Sequence, residues 1–176
     1  MGKPRVPKPV KLMMSMIFSE NTALMRALDD LKSIYGEVDL LSDSLPFDFT
    51  DYYDEEMGAP LFRKFIAFTE LVPRDALPDI KKRTNTIEGR YSRDRCRKVN
   101  IDPGIISEGS LILATTKACA HRPYLRDGIY ADLALIFRNR SFRPLEWTYP
   151  DYRQGEVIDI MNRLRRGYLD QLKGLS

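Results

Sequence analysis

The sequence has few of the residues that build common catalytic and metal centres. His121 is the only histidine, which excludes a metal centre with several histidine ligands, and Cys96 and Cys119 lack the spacing of a zinc site. The chain also lacks G-x-x-x-x-G-K-[ST], G-x-G-x-x-G, G-x-S-x-G and H-E-x-x-H. These absences exclude the enzyme classes that those motifs define. A Ser/His/Asp triad based on His121 stays formally open, but no serine stands in a recognisable nucleophile turn.

Long apolar runs and a strong net charge are absent as well. The run LMMSMIF is far shorter than the roughly 20 residues that cross a bilayer, and the N-terminus MGKPRVPKP lacks the apolar part of an export signal. We therefore predict no membrane association and a reducing, cytoplasmic location. The net charge of +3 gives little general attraction to polyanions, so we do not expect a nucleic-acid partner.

The sequence does contain enough apolar material for one folded domain. Hydrophobic residues make up 43% of the 176 residues and charged residues 30%, which suits one compact domain and leaves too little chain for two. We predict a flexible leader over residues 1–9 and a single domain over residues 10–176.

Hydrophobic periodicity predicts the elements of the first half. Alternation over residues 10–18 predicts a strand whose second face is at least partly covered. Helical spacing predicts a helix that Ser19 caps and Gly36 ends. A short strand over residues 37–41 and a β-prone run over residues 61–71 follow, and Pro73 then opens a second helix that reaches Tyr91.

The second half continues with strands and ends in a helix. The segments VNIDPG, SLILATT and GIYADLALIF are typical of strands, and Pro103 with Gly104 is expected to end the first of them. Asn139 and Arg140 predict a turn back into SFRPLEW. Residues from Val157 to Leu172 form the apolar stripe of a closing helix.

This order predicts an α+β fold. We expect an antiparallel sheet with helices on one face, built as a ferredoxin-like βαββαβ unit that a C-terminal hairpin and helix extend. A different order of strand pairing fits the same pattern.

Polar residues gather at two predicted strand ends. In VNIDPG the alternation places Asn100 and Asp102 on the same face, where they either bind a ligand hydroxyl or metal, or Asp102 only completes an Asx turn. In KACAHRPYL, Lys117, His121 and Arg122 leave a strand together, with Arg126 just beyond. These donors suit a phosphate or carboxylate, but they are also typical of a solvated turn with a packed histidine.

Two further segments have an unusual density of side chains that can form hydrogen bonds. In TNTIE, Asn85 and Glu88 share one face of the second helix, so they either face a polar cavity or cap a break in the helix. WTYPDY is either a lid over the core, with Pro150 setting a turn, or an aromatic stacking platform.

Opposite charges concentrate in two separate tracts. FTDYYDEEMG is acidic and RYSRDRCRK is basic. The acidic tract suits a divalent cation or a solvated loop, and the basic tract suits a phosphate backbone or a mobile loop. Mutual attraction between the two tracts is the third interpretation.

Five segments in this order resemble a known family: FTDYYDEEMG, TNTIE, NIDPG, HRPYLRDGIYADL and WTYPDY. They are similar to segments of the bacterial domain-of-unknown-function 4416 family, and the resemblance covers nearly the whole chain. It implies a single intracellular bacterial domain and brings no activity or mechanism with it.

Three functions from different classes follow. The first is a protein or enzyme that binds a small phosphate- or carboxylate-bearing ligand, with Asn85, Glu88 and Asn100 in the site. If it is catalytic, His121 is the acid or base, Asp102 its orienter or a metal ligand, and Lys117 with Arg122 the anion clamp. The second is a protein-interaction domain without chemistry, and the third an RNA-binding module. The sequence predicts no particular cofactor or oligomeric state.

Overall fold

The structure is a computed structural model and describes residues 2–94 and 96–175. Its eleven strands are β1 (Val10–Phe18), β2 (Val38–Leu41), β3 (Leu45–Pro46), β4 (Phe62–Val72), β5 (Ser92–Arg93), β6 (Cys96–Arg97), β7 (Val99–Ile106), β8 (Ser110–Thr115), β9 (Tyr124–Arg126), β10 (Ile129–Arg138) and β11 (Ser141–Pro144). Its α-helices are α1 (Asn21–Tyr35), α2 (Asp54–Met57), α3 (Leu77–Arg90) and α4 (Gly155–Gly174), and 3₁₀ turns span Arg74–Ala76 and Pro150–Arg153.

Nine of these strands form one antiparallel sheet. The strand order is β11-β10-β8-β7-β1-β4-β2, with β3 also on β4 and β9 also on β10, while β5 and β6 form a separate hairpin. The predicted α+β class with an antiparallel sheet is therefore confirmed. The predicted division into residues 1–9 and 10–176 stays a prediction.

The central strand β1 is buried along its whole length because helices cover both faces of the sheet. On one face Met14 packs with α1 and α3, and on the other Met13 packs with α4. The expectation that the helices share one face is therefore wrong. The apolar stripe of α4 identified a helix, but the stripe alone does not reveal which face of the sheet the helix covers.

Several predicted local features are confirmed, and one cap is not. Gly36 ends α1 with a φ of 85°, and Asn139 and Arg140 turn β10 into β11 with φ values of 49° and 64°. The N-cap of α1 is Glu20 rather than Ser19, and it makes no side-chain cap hydrogen bond.

Strand β7 does not end at Pro103 and Gly104 but continues through both to Ile106. Pro103 has the same orientation along the strand as Ile101, whose backbone groups point away from β1, so its missing N–H removes no bond to β1. Gly104 lets β8 approach closely, because a Cβ there would lie 2.7 Å from Leu113 Cδ2 and 3.0 Å from the Ile112 carbonyl oxygen.

The sheet opens between β7 and β8. These strands pair only through Gly104–Ile106 and Leu111–Leu113, so the first half of β7 has no strand on that side among the described residues. Helix α3 supplies the missing partners. Lys81 Nζ donates to the Ile101 carbonyl oxygen at 3.0 Å, and Glu88 Oε1 accepts from the Ile101 N–H at 2.8 Å. A cleft forms at this opening.

Candidate functional site

The cleft where β7 and β8 separate is a cavity of about 610 Å³. Its walls come from the start of β7, one face of α3, the end of β8, the segment around α2 and the 3₁₀ turn Pro150–Arg153. A volume of this size is in the range of small-molecule sites. The cavity therefore brings together residues that lie as far apart in the sequence as Phe47 and Tyr152.

Asp102 lies on the β7 wall and has two donors. Lys81 Nζ lies 3.1 Å from one of its carboxylate oxygens, and Asn100 Nδ2 donates to the other at 2.7 Å. Burial by itself would raise the pKa of Asp102, but the Lys81 ammonium and the two hydrogen bonds more than offset it, so the pKa is lowered. Asp102 is therefore a charged acceptor within a strand, and the interpretation as an Asx turn is wrong.

Arg97 joins three walls of the cleft. Its NH1 donates to Glu88 Oε2 at 2.9 Å and to Asn100 Oδ1 at 2.7 Å, while its Nε donates to Glu56 Oε1 at 2.6 Å. The acidic and basic tracts thus contact each other through Glu56 and Arg97, as the third interpretation of those tracts predicted. Arg95, in the middle of the basic tract, lies outside the described residues.

Glu88 is buried at the junction of α3 and β7. Burial raises its pKa, although the Lys81 ammonium, 3.9 Å away, and the Ile101 N–H act in the opposite direction. Both carboxylate oxygens are occupied, one by Ile101 and the other by Arg97. Because Glu88 is also only 4% exposed, it holds the wall of the cleft together rather than offering an acceptor to a ligand.

A buried ion pair forms the floor. Arg63 NH1 donates to Asp151 Oδ2, and both side chains are largely shielded from solvent. The Arg63 guanidinium also lies 4.5 Å from the centre of the Phe47 ring and 5.3 Å from that of Tyr152. Burial raises the pKa of the Tyr152 hydroxyl and lowers that of Arg63. The last three residues of WTYPDY, Pro150–Tyr152, thus line the floor of the cleft, and Tyr152 also packs in the core, which agrees with the interpretation of this segment as a lid over the core.

The mouth of the cleft is aromatic and carries one lysine. Phe49, Tyr52 and Tyr149 line the cavity and are 40%, 59% and 41% exposed. The ammonium of Lys117 lies 4.1 Å from the centre of the Tyr52 ring. Exposed aromatic side chains around a concave site are typical of ligand contacts.

His121 and Arg122 do not line the cavity but contact residues that do. Arg122 Nε donates to Asp132 Oδ2 at 2.9 Å, and its NH2 donates to the Tyr149 hydroxyl at 2.6 Å. His121 stacks on Trp147 with ring centres 5.0 Å apart, and its Nε2 lies 3.9 Å from Asp132 Oδ1. The carboxylate next to His121 is therefore Asp132, and the proposed orienting role of Asp102 toward His121 is not supported.

The comparisons with known proteins bear on the family alone. The sequence matches the family described as Domain of unknown function (DUF4416) over residues 8–168. The chain belongs to this family. No curated protein and no solved structure matches it.

Five of the seven residues that the sequence singled out line the cleft of this DUF4416 chain: Asn85, Glu88, Asn100, Asp102 and Lys117. His121 and Arg122 do not line it, but both lie close to Asp132, which does. Sequence reasoning missed Lys81 and Asp132, and it placed Arg97 only in the basic tract and not in the cleft. Lys81 had a signal, since it shares one helical face with Asn85 and Glu88 at a spacing of four and then three residues.

A metal centre or a membrane-spanning helix would point to a different kind of function for the DUF4416 chain. Among residues 2–94 and 96–175, no group of three or more His, Cys, Asp or Glu side chains is arranged to hold a metal ion. No α-helix in the same ranges is both long and apolar enough to cross a membrane.

Proposed function

We propose that the cleft between β7 and β8 binds a small molecule that carries a phosphate or a carboxylate group. The observation that carries this proposal is a pair of cavity-lining groups without a bonding partner among the described residues. Within residues 2–94 and 96–175, the Asn85 amide makes no hydrogen bond and the Lys117 ammonium has no carboxylate partner. Unpaired polar groups that converge on one cavity are the usual mark of a ligand site.

The balance of charge around the cleft favours an anionic group at Lys117. The other lining cations are each paired: Lys81 with Asp102, Arg97 with Glu88 and Glu56, and Arg63 with Asp151. An anion next to those cations would also meet their carboxylates. Lys117 is the lining cation that an anion can approach without that repulsion.

The proposal concerns binding and includes no reaction step. His121 was the candidate acid or base, but it lies close to Asp132 and does not line the cavity. A general acid or base has to reach the reacting atom directly or through one water.

A thermal-shift screen over nucleotides, sugar phosphates, small carboxylic acids and divalent ions tests the proposal. We expect at least one anionic compound to raise the melting temperature, and Asn85→Ala or Lys117→Met to remove that rise. Lys173→Met is the matched control, because Lys173 is an exposed lysine on α4 that does not line the cleft. A rise that survives both cleft substitutions, or no rise with any compound, would contradict the proposal.

We also propose that β1, α1, β2, β4, α3 and β7 form the ferredoxin-like βαββαβ unit. The order β7-β1-β4-β2 with antiparallel neighbours supports it, since the first and third strands are adjacent in the middle of such a unit. An experimental structure of this chain in which these four strands have a different order would contradict it.

A further inference from the structure

The part of the cleft lined by Lys81, Arg97 and Asp102, called the deep part here, is unsuited to a charged ligand group. Its cations already have carboxylate partners at short range, with Lys81 Nζ at 3.1 Å from Asp102 and Arg97 Nε at 2.6 Å from Glu56. A phosphate placed there would have to displace a carboxylate or leave it without its partner. Leaving one member of a buried pair without its partner is costly. The deep part therefore suits neutral polar groups.

Asp102 offers acceptor sites that suit hydroxyl groups. A carboxylate has about four lone-pair sites, and Lys81 and Asn100 occupy one on each oxygen. The side chain remains 30% exposed toward the cavity. The nearby wall also carries the Asn85 amide, which can donate and accept. A carboxylate beside an amide is a good receptor for a ligand with several hydroxyl groups.

The mouth, by contrast, suits one anionic group of low charge. Thr116 and Lys117 are both exposed and line the cavity, so they present a hydroxyl and an ammonium to the same region. A phosphate monoester carries about −1.5 to −2 charges at neutral pH. One ammonium partly neutralises that charge, whereas a triphosphate would leave several charges without a partner.

The aromatic side chains at the mouth provide flat apolar surfaces. Tyr52 and Tyr149 are half exposed and line the cavity. Aromatic faces of this kind pack well against the flat face of a ring. The ligand that matches all three regions has a ring, several hydroxyl groups and one phosphate.

We infer that the ligand is the phosphate monoester of a hydroxyl-bearing ring compound, with its hydroxyl groups against Asp102 and Asn85 and its phosphate beside Lys117. Sugar phosphates and nucleoside monophosphates share this chemistry. The inference rests on the proposed function, because it names the ligand class of the same cleft.

Calorimetric titrations of the full chain with matched probes test the inference. The probes are ribose 5-phosphate, adenosine monophosphate, ribose, inorganic phosphate and adenosine triphosphate. We expect one of the two monophosphate esters to bind at least about tenfold more tightly than the other probes. Ribose lacks the charge-assisted contact to Lys117, inorganic phosphate lacks the ring, and the triphosphate brings charges that have no partner. The ester that binds identifies the source of the ring.

Variants then show which residue binds the phosphate of the ligand and which binds its hydroxyl groups. Lys117→Met is expected to reduce ester binding to the level of the unphosphorylated ring, and Lys117→Arg to retain most of it. Asn85→Ala is expected to weaken the ester while leaving the weak binding of inorganic phosphate unchanged. Since Asn85 and Lys117 are exposed, both variants should fold, which circular dichroism checks.

The outcomes separate this inference from the proposed function. Ester binding that Lys117→Met leaves unchanged, or tighter binding of the triphosphate or of inorganic phosphate, overturns the inference. Failure of both esters to bind also overturns it. A carboxylic acid whose binding Asn85→Ala removes would in that case leave the proposed function standing.

Discussion

At the scale of single residues, Lys81 is the side chain on which most of the cleft wall depends. It is 6% exposed, and its ammonium donates to the Ile101 carbonyl and contacts Asp102. A buried charge is tolerated only when it has partners of this kind. Lys81 therefore bonds both to the unpaired edge of β7, through the Ile101 carbonyl, and to the carboxylate of Asp102 in the cleft.

Lys81→Met should lower the free energy of unfolding by about 3 to 5 kcal/mol, because it leaves buried acceptors without their cation. Urea denaturation measures the change. Lys82→Met is the matched control, since the neighbouring Lys82 is half exposed and its ion pairs are at the surface, so its loss should cost less than about 1 kcal/mol. Equal effects of the two substitutions would contradict this account of Lys81.

The contribution of Asp102 to stability should depend on pH. Because the Lys81 ammonium and hydrogen bonds outweigh burial, the pKa of Asp102 is lower in the folded chain than in the unfolded one. Its stabilising effect is therefore present above the unfolded pKa, near 3.9, and is lost as the pH falls through the folded pKa. We expect the stability difference between the parent and Asp102→Asn to be largest at neutral pH and to shrink below about pH 4. A difference that grows in acid would contradict it.

The residue types predicted five members of the cleft because each lies where a pattern is unusual. Asn85 and Glu88 interrupt a helix with polar side chains, and Lys117 follows the end of a strand. Asp132 gave no such signal, and Arg97 stood out only as one of several cations in the basic tract. Their roles come from partners on other elements, Glu56 and Arg122, which are brought close only by the folded chain.

At the scale of elements, α3 takes the place of a strand along the first half of β7. Its periodicity predicted a helix, but that pattern does not indicate that the polar face of the helix lies against a strand edge. That position follows from the early end of the pairing between β7 and β8, after which Ile101 needs partners from elsewhere. The same geometry opens the cleft.

Glu88→Ala should expose the Ile101 amide to exchange, because Glu88 Oε1 is its acceptor. We expect hydrogen exchange at Ile101 to accelerate on the order of tenfold or more, the effect of losing one buried hydrogen bond. Glu88→Gln is the matched variant, since its amide oxygen can still accept. Protection of Ile101 that persists in Glu88→Ala, measured by NMR, would exclude this role for α3.

At the scale of the whole molecule, the two cores share the strands of one sheet. Leu28 on α1 packs with α3 against one face, and Leu164 on α4 packs against the other. Strand β1 contributes to both cores through alternate residues such as Met13 and Met14. The two halves should therefore unfold together. The alternation in β1 predicted a covered second face, but which element covers it depends on the path of the chain after β11.

Leu28→Ala should lower the free energy of unfolding by about 2 to 5 kcal/mol and shift every probe of unfolding equally. Trp147, the only tryptophan, stacks on His121 and reports on the region of the cleft, whereas far-ultraviolet circular dichroism reports on the whole chain. Coincident midpoints are expected from both. Met25→Ala, at an exposed position of the same helix, should have little effect. A fluorescence midpoint that stays unchanged in Leu28→Ala would show that the two cores are independent.

The central claim is that the opening between β7 and β8 is a binding site, and NMR mapping of a ribose 5-phosphate titration tests it most directly. The account predicts that the largest amide shifts occur at Asn100–Asp102 and Thr115–Lys117, together with the side-chain amide of Asn85. Shifts that are instead largest in the groove between α1 and α3, near Asp30 and Arg90, would contradict it.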